Sequence, residues 1–533
     1  MSHRQYMFLL YIYIYLYTPT LDVEQLKVAM DFFTYVLFIF FTCALVLQPL
    51  LSLSRRSKSI NGKLPPGPAP LPVVGNLLKL GNKPHRSLAD LARLHGPIMT
   101  LRLGRLTTIV ISSAAMAEEV LHKQDLTFSS RTIPDAIHAI HHHQFSMIWL
   151  PVSPRWRNLR KICNTQIFTP YRLDATQSLR RHKVTELLDE VGERCRAGEG
   201  VEIALVAFKT ALNFLSNTVF SVDLAGSNNS DTIQEFKEEM CMLADDIGKP
   251  NLVDYFPVLR KIDPQGIRRR MTANFQKVTG LFDSMIEQRV QLRKMYGGVR
   301  SNDMLDVLLN ISEEGGSEGI DRTDILHLLM DLFSAGTDTS SGTMEWAMAE
   351  LLHNPHMLSK VQTELRETIR KGNSMEEADI ACLPYLQAVV KEIFRLHPPL
   401  PLLLPYKAQT DTNVCGFHVP EGAQVLVNVW TIGRDPKTWA EPNSFVPERF
   451  LGSDIDVKGR NFELIPFGAG RRICPGLPLA TRMIHLMLGS LLHAFDWKLE
   501  EGIGPKDMIM EDKVGLTLRM AQPLRAIPIN VQD

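Results

Sequence analysis

A chain of 533 residues, 45% hydrophobic and 22% charged, is globular in composition and well above the ordinary size of one domain. Lys+Arg and Asp+Glu are equal at 58 each, so no net charge draws it to nucleic acid or to acidic partners. Seven cysteines, odd in number, widely spaced and without a Cys-x-x-Cys pair, argue against a disulfide framework and a structural zinc site, and for a reducing compartment.

Tyr6–Tyr17 (YMFLLYIYIYLY) is apolar but too short to span a bilayer; Met30 is the expected start, and residues 1–29 are read as an upstream extension. Phe32–Leu53 carries no charge, and as a helix it would be about 33 Å long against a hydrocarbon core of about 30 Å. It is apolar all round and lacks a cleavage pattern, so residues 30–54 are expected to be a single transmembrane helix rather than a signal peptide or a core helix. Arg55, Arg56, Lys58 and Lys63 follow it, which places the rest of the chain on the cytosolic side. Five prolines in Leu64–Asn76 read as a stiff spacer, making 55–76 a basic flank and hinge.

Residues 77–533 are expected to form one large body. Thr100–Leu103 and Thr107–Ile111 flank Gly104 as a hairpin, and Ser113 to Tyr296 is mostly helical with proline breaks. Asp321–His353 and Pro355–Lys371 are long helices, and Leu386–Arg395 is a shorter one halted by His397-Pro398-Pro399. Val414–Val419 and Gln424–Val429 around Pro420-Glu421-Gly422 suggest a second hairpin, and Leu477–Phe495 a last helix. The fold class is mainly α with small, mostly antiparallel β-sheets.

Phe467–Gly476 reads FGAGRRICPG. Gly470 and Gly476 permit close backbone approach to the Cys474 sulfur, the following helix N-terminus favours a thiolate, Phe467 shields it, and Arg472 offers a fork for a carboxylate. Upstream, Ala335-Gly336-Thr337-Asp338-Thr339-Ser340 sets an acid and an alcohol inside an apolar helix that otherwise disfavours them, with side-chain bulk removed at Ala335-Gly336. Together these segments resemble the cytochrome P-450 family, plant microsomal type. Leu383–Glu392, Val427–Pro436 and Phe462–Ala480 are most similar to its terpenoid-hydroxylase group.

The resemblance implies a haem-thiolate fold with haem b held by Cys474, and a proton relay through Asp338 and Thr339. It implies propionate contacts from Trp156 and Arg160, and Glu392, Arg395 and Arg449 as a structural clamp on the cysteine loop. Tyr406 stands where relatives carry Arg or His toward a propionate; Lys407 is the candidate to compensate. Expected substrate-lining residues are Ile137, Phe145, Leu332, Leu402, Leu403, Gly515 and Leu516. The implied activity is insertion of one oxygen atom of O2 into a small hydrophobic substrate such as a monoterpenol. Electrons would come from NADPH through a reductase on the endoplasmic reticulum membrane. Diterpenoids or phenolics are alternative substrates; an O2-independent isomerase or dehydratase, or an inactive haem-binding protein, is the remoter alternative. His138, His141, His142 and His143 read as a solvated loop rather than a metal site, since acids and cysteines are scarce nearby. Arg260, Lys261, Arg268, Arg269 and Arg270 form a basic patch, equally a lipid contact or a solvated face.

Overall fold

The computed structural model describes residues 63–225, 230–295, 303–314, 319–370 and 372–531, so the anchor, the extension and the first basic residues of the flank lie outside the described residues. Ten helices carry the site: α1 Pro84–His95, α2 Pro154–Ile162, α3 Gln177–Ala197, α4 Ile203–Phe220, α5 Ser230–Gly248, α6 Ile267–Met295, α7 Arg322–His353, α8 Pro355–Thr368, α9 Pro384–Leu396 and α10 Leu477–Ala494. The strands are β1 Ile98–Leu103, β2 Leu106–Ile111, β3 Ser130–Arg131, β4 Val201–Glu202, β5 Tyr406–Lys407, β6 Thr412–Val414, β7 Phe417–Val419, β8 Gln424–Val427, β9 Phe495–Leu499, β10 Asp512–Val514, β11 Leu518–Met520 and β12 Arg525–Asn530.

The long helix α7 is the axis of the core. It starts where the Asp321 side chain accepts from Asp324 N at 2.7 Å while Asp324 Oδ2 accepts from Asp321 N at 3.2 Å, a reciprocal cap on two orphan donors. It ends at Asn354, held out of helix geometry by Pro355. Apolar α4 packs along it, with α6, α9 and α10 closing the other sides. By length and composition α4 is the one described helix apolar enough to cross a membrane, yet most of it is buried inside the protein, as a core helix is.

One sheet runs β1-β2-β8-β5-β3 and a second β4-β12-β9; β6-β7 and β10-β11 are ribbons. All pairs are antiparallel except β2 with β8. The second expected hairpin is corrected here. Its turn is at Cys415-Gly416, both at positive φ, and joins β6 to β7; β8 instead pairs with β2 and β5. The proline stretch expected as a spacer lies against the body. A Cβ on Gly67 would sit 2.0 Å from Thr100 O, and Asn76 Oδ1 accepts from Arg102 N at 2.7 Å. The basic patch is largely neutralised: Arg260 and Arg268 pair with Asp135, Arg270 with Asp246 at 2.9 Å, and Arg269 lies 4.0 Å from Asp263.

Candidate active site

Between α7, α4, α2 and the cysteine loop lies a largely apolar cavity with Cys474 in its wall. The loop is closed by Cys474 N donating to Phe467 O at 2.9 Å. Burial is the largest influence on Cys474 and pushes its thiol up; the N–H groups of Gly476 and Leu477 and the Arg160 charge oppose it. Such a sulfur becomes a thiolate when a metal takes the proton's place. A Cβ on Gly476 would lie 3.8 Å from that sulfur, in ordinary contact with it. Gly470 serves packing instead. At φ 64 its missing side chain faces Leu121 O, 1.9 Å from where a Cβ would be, so it seats the loop on the chain before β3 and does not line the cavity.

Three guanidiniums face the same cavity: Arg131, Arg160 and Arg472. Arg472 donates from Nε to Ser129 O at 2.7 Å and from Nη1 to Met147 O at 3.3 Å, and also bonds Leu150 O. Arg160 Nη2 donates to Ile473 O at 2.6 Å, and Arg131 Nη1 to Leu404 O at 2.7 Å. Arg131 Nε has no hydrogen-bond partner, and among the described residues none of the three meets a carboxylate. Burial pushes all three below the ordinary guanidinium value, Arg472 to about 9. Three cations enclosed with no counter-charge require an anion. The two propionates of a haem bound at Cys474 would supply it, and the apolar walls suit a macrocycle. The residues present fit haem plus a small substrate.

The expected residues divide unevenly. Trp156, Arg160, Arg472, Phe467, Gly476, Ala335, Gly336, Thr339, Leu332 and Leu403 line the cavity. Trp156 is turned from the expected propionate contact: its Nε1 donates to Met147 O at 3.1 Å and its ring underlies Arg472. Gly336 also lets α4 approach, since a Cβ there would meet Leu215 at 3.0 Å. Asp338 does not line the cavity. Its Oδ2 accepts from Thr517 Oγ1 at 2.6 Å, and Oδ1 lies 3.8 Å from Arg519. Thr339 Oγ1 donates to Ala335 O at 2.7 Å.

Five substrate-lining expectations are corrected. Ile137 is buried in the main core, Phe145 stacks on His327, and Leu402 packs with the β1–β2 cluster. Gly515 and Leu516 lie against α5 through Asp245 and Ala244. The wall is built instead by Ala211, Phe214 and Leu215 of α4, by Met147 and Ile148, and by Leu400 and Leu404. Lys407 is exposed and faces away from the cavity, because it alternates with buried Tyr406 along β5. Arg131 escapes sequence reasoning. It lies 4.3 Å over the Tyr406 ring, a pairing set by β3–β5 register and invisible to any local motif.

Glu392, Arg395 and Arg449 come together in one cluster. Arg395 pairs bidentately with Glu392 at 2.6 and 2.7 Å and donates to Gly433 O, Pro442 O and Ser444 O; Arg449 Nε reaches Glu392 at 3.1 Å. The Glu392–Arg395 pair is fully buried, unlike a surface helix pair.

The family model for Cytochrome P450 matches residues 65–524. Geraniol 8-hydroxylases of Swertia mussotii and Catharanthus roseus are each 54% identical, over 93% and 94% of this chain and 99% of each relative. Drimenol monooxygenase of Persicaria hydropiper is 51% identical over 92% of the chain and 96% of the relative. A zebra fish cytochrome P450 solved with progesterone superposes with a TM-score of 0.72 at 25% identity, covering 84% of this chain and 99% of that one. A cysteine at the floor of an apolar cavity, three arginines awaiting carboxylates and a match across most of the chain have one reading: this chain belongs to the cytochrome P450 family of haem-thiolate monooxygenases.

Proposed function

We propose that the chain hydroxylates an acyclic monoterpenol such as geraniol, as the names of its two 54%-identical relatives suggest. The observation that carries the site reading is the enclosed triad Arg131, Arg160 and Arg472 beside Cys474. Cys474 holds the iron of haem b, the three arginines hold the propionates, and Tyr406 supports Arg131 from below. The thiolate-ligated haem supplies O2 activation and insertion of one oxygen atom into a C–H bond. The protein residues orient, exclude water and move protons. Apolar side chains from α4 and from Leu400, Leu403 and Leu404 press the substrate against the Ala335-Gly336 face. Thr339 keeps a hydroxyl at the cavity wall to pass a proton there, and Asp338 lies one residue before it on the far side of α7, beside Thr517 and Arg519.

Residues 30–54 anchor the chain in the endoplasmic reticulum membrane with the body in the cytosol, where an NADPH-dependent reductase supplies electrons. Exposed apolar side chains support a lipid-facing surface. Leu71, Val73 and Leu78 lie near Val258 and Ile262, because Gly104 N bonds Val74 O while Arg105 N bonds Tyr255 O. Turnover of geraniol by full-length protein with reductase and NADPH tests the substrate reading, and absence of any oxygenated product contradicts it. In Thr339→Ala, NADPH consumption is expected to continue while product per NADPH falls by about tenfold or more; unchanged coupling contradicts the proton role.

A further inference from the structure

One polar cluster on the cavity wall has no part in holding haem. Asp331, Ala335 and Thr339 stand at i, i+4 and i+8, one face of α7. Asp331 lies about 12 Å along the helix axis from Thr339, two turns toward its N-terminus. That separation is comparable with the length of an extended monoterpenol from its hydroxyl to its far methyl groups. Asp331 lines the cavity with Ile148 and Leu332.

Every hydrogen bond to Asp331 points inward. Ser146 Oγ donates to Oδ1 at 2.7 Å, His142 Nε2 lies 3.2 Å from Oδ1, and Ile148 N approaches Oδ2 at 3.4 Å. Behind it, His142 Nδ1 and His327 Nδ1 are 2.7 Å apart. A carboxylate has no proton to give, so a neutral His142 turns its Nε2–H toward Asp331 and accepts at Nδ1, which puts the proton between the two rings on His327 Nδ1. Burial pushes His327 down to about 4, which keeps that ring neutral. Oδ1 is thus committed twice and Oδ2 only weakly, so an acceptor site stays open on Oδ2. The other wall groups are spent: Thr339 and Ser340 donate back to α7 carbonyls, and the arginines belong to the haem end.

We propose that Asp331, held by His142 and Ser146, accepts the hydroxyl hydrogen of the substrate and so fixes which end of a terpenol faces the iron. This rests on the monoterpenol reading and deepens it. A carboxylate that only accepts distinguishes an alcohol from its ether, which has an oxygen but no O–H.

The test is the type I spectral titration of wild-type holoenzyme with geraniol, with geranyl methyl ether, and with the hydrocarbon lacking the oxygen. Geraniol is expected to bind roughly tenfold tighter than the other two, the worth of one hydrogen bond to a charged group. In Asp331→Asn this preference is expected to collapse toward equality, with hydrocarbon affinity changed less than about twofold and a wider spread of oxidation positions. Equal wild-type affinity for alcohol and ether overturns the proposal without any variant. So does Asp331→Asn weakening all three ligands alike, which marks Asp331 as a purely structural tie. If geraniol is neither bound nor oxidised, the monoterpenol reading itself has failed. If it is oxidised but not preferred over its ether, only the role of Asp331 has failed.

Discussion

The two ends of the cavity are built from different kinds of contact. Around Cys474 the polar groups come from short local segments: the loop itself, Trp156 and Arg160 one turn apart, and the Glu392–Arg395 pair on α9. Around Asp331 they come from places far apart in the chain, His142 and Ser146 reaching His327 and Asp331 across 185 residues. The first end serves a cofactor of fixed shape, and local spacing presents all of it but Arg131, which the β3–β5 register brings in. The second serves a substrate, and its geometry exists only after the loop around His142 has docked on α7.

The largest expected effect is at the local end. Arg395→Ala leaves Glu392 buried without its guanidinium and strips three carbonyls of their donor, a loss of about 3–5 kcal/mol. Expression without haem incorporation, or a Tm lower by many degrees, is the expected readout. A variant that folds and loads haem normally would mean the clamp is dispensable.

Next come the arginines. Arg472→Met and Arg131→Met each remove one propionate partner while keeping side-chain bulk. Haem transfer to apomyoglobin is expected to speed by roughly tenfold or more for each, the worth of one charge-assisted hydrogen bond. Unchanged transfer from Arg131→Met would remove Arg131 from the haem end and leave its stack on Tyr406 as packing.

The smallest effect sharpens the distal end. His327 has its pKa pushed down from 6.5 to about 4, by burial first and then by the neighbouring His142. For a base depressed in the folded state, the unfolded chain takes up the proton first. Its contribution is therefore complete above about pH 6.5 and is lost as pH falls from there toward 4. His327→Phe is expected to flatten the fall of Tm over that window, and an unchanged slope would show that His327 does not titrate in isolation.

The same contrast governs what is legible in the sequence. The bounds of α7 follow from its cap and from Pro355, and the cysteine loop from its glycines and its place before α10. The second hairpin is not legible because the partner of β8 is β2, with Thr108 opposite Gln424. No turn signal encodes a pairing across that much chain. His142 looks solvated in sequence because nothing near it along the chain is its partner. A signal does exist in α7 itself, where His327 and Asp331 stand at i and i+4 in an otherwise apolar run, polar groups that a core helix carries only when they are satisfied. Gly515-Leu516 is not part of the substrate wall because it packs against α5 through Asp245 and Ala244. The apolar face of α4, which supplies it, looks in sequence like any core helix.

The most direct measurement of the thiolate site is the carbon monoxide difference spectrum of the reduced full-length protein and of Cys474→Ala. The wild type is expected to give a Soret band at the long-wavelength position of thiolate ligation, and the variant to lack it. A wild-type band at the position of a neutral ligand, or a thiolate band that survives in Cys474→Ala, would contradict Cys474 as the iron ligand.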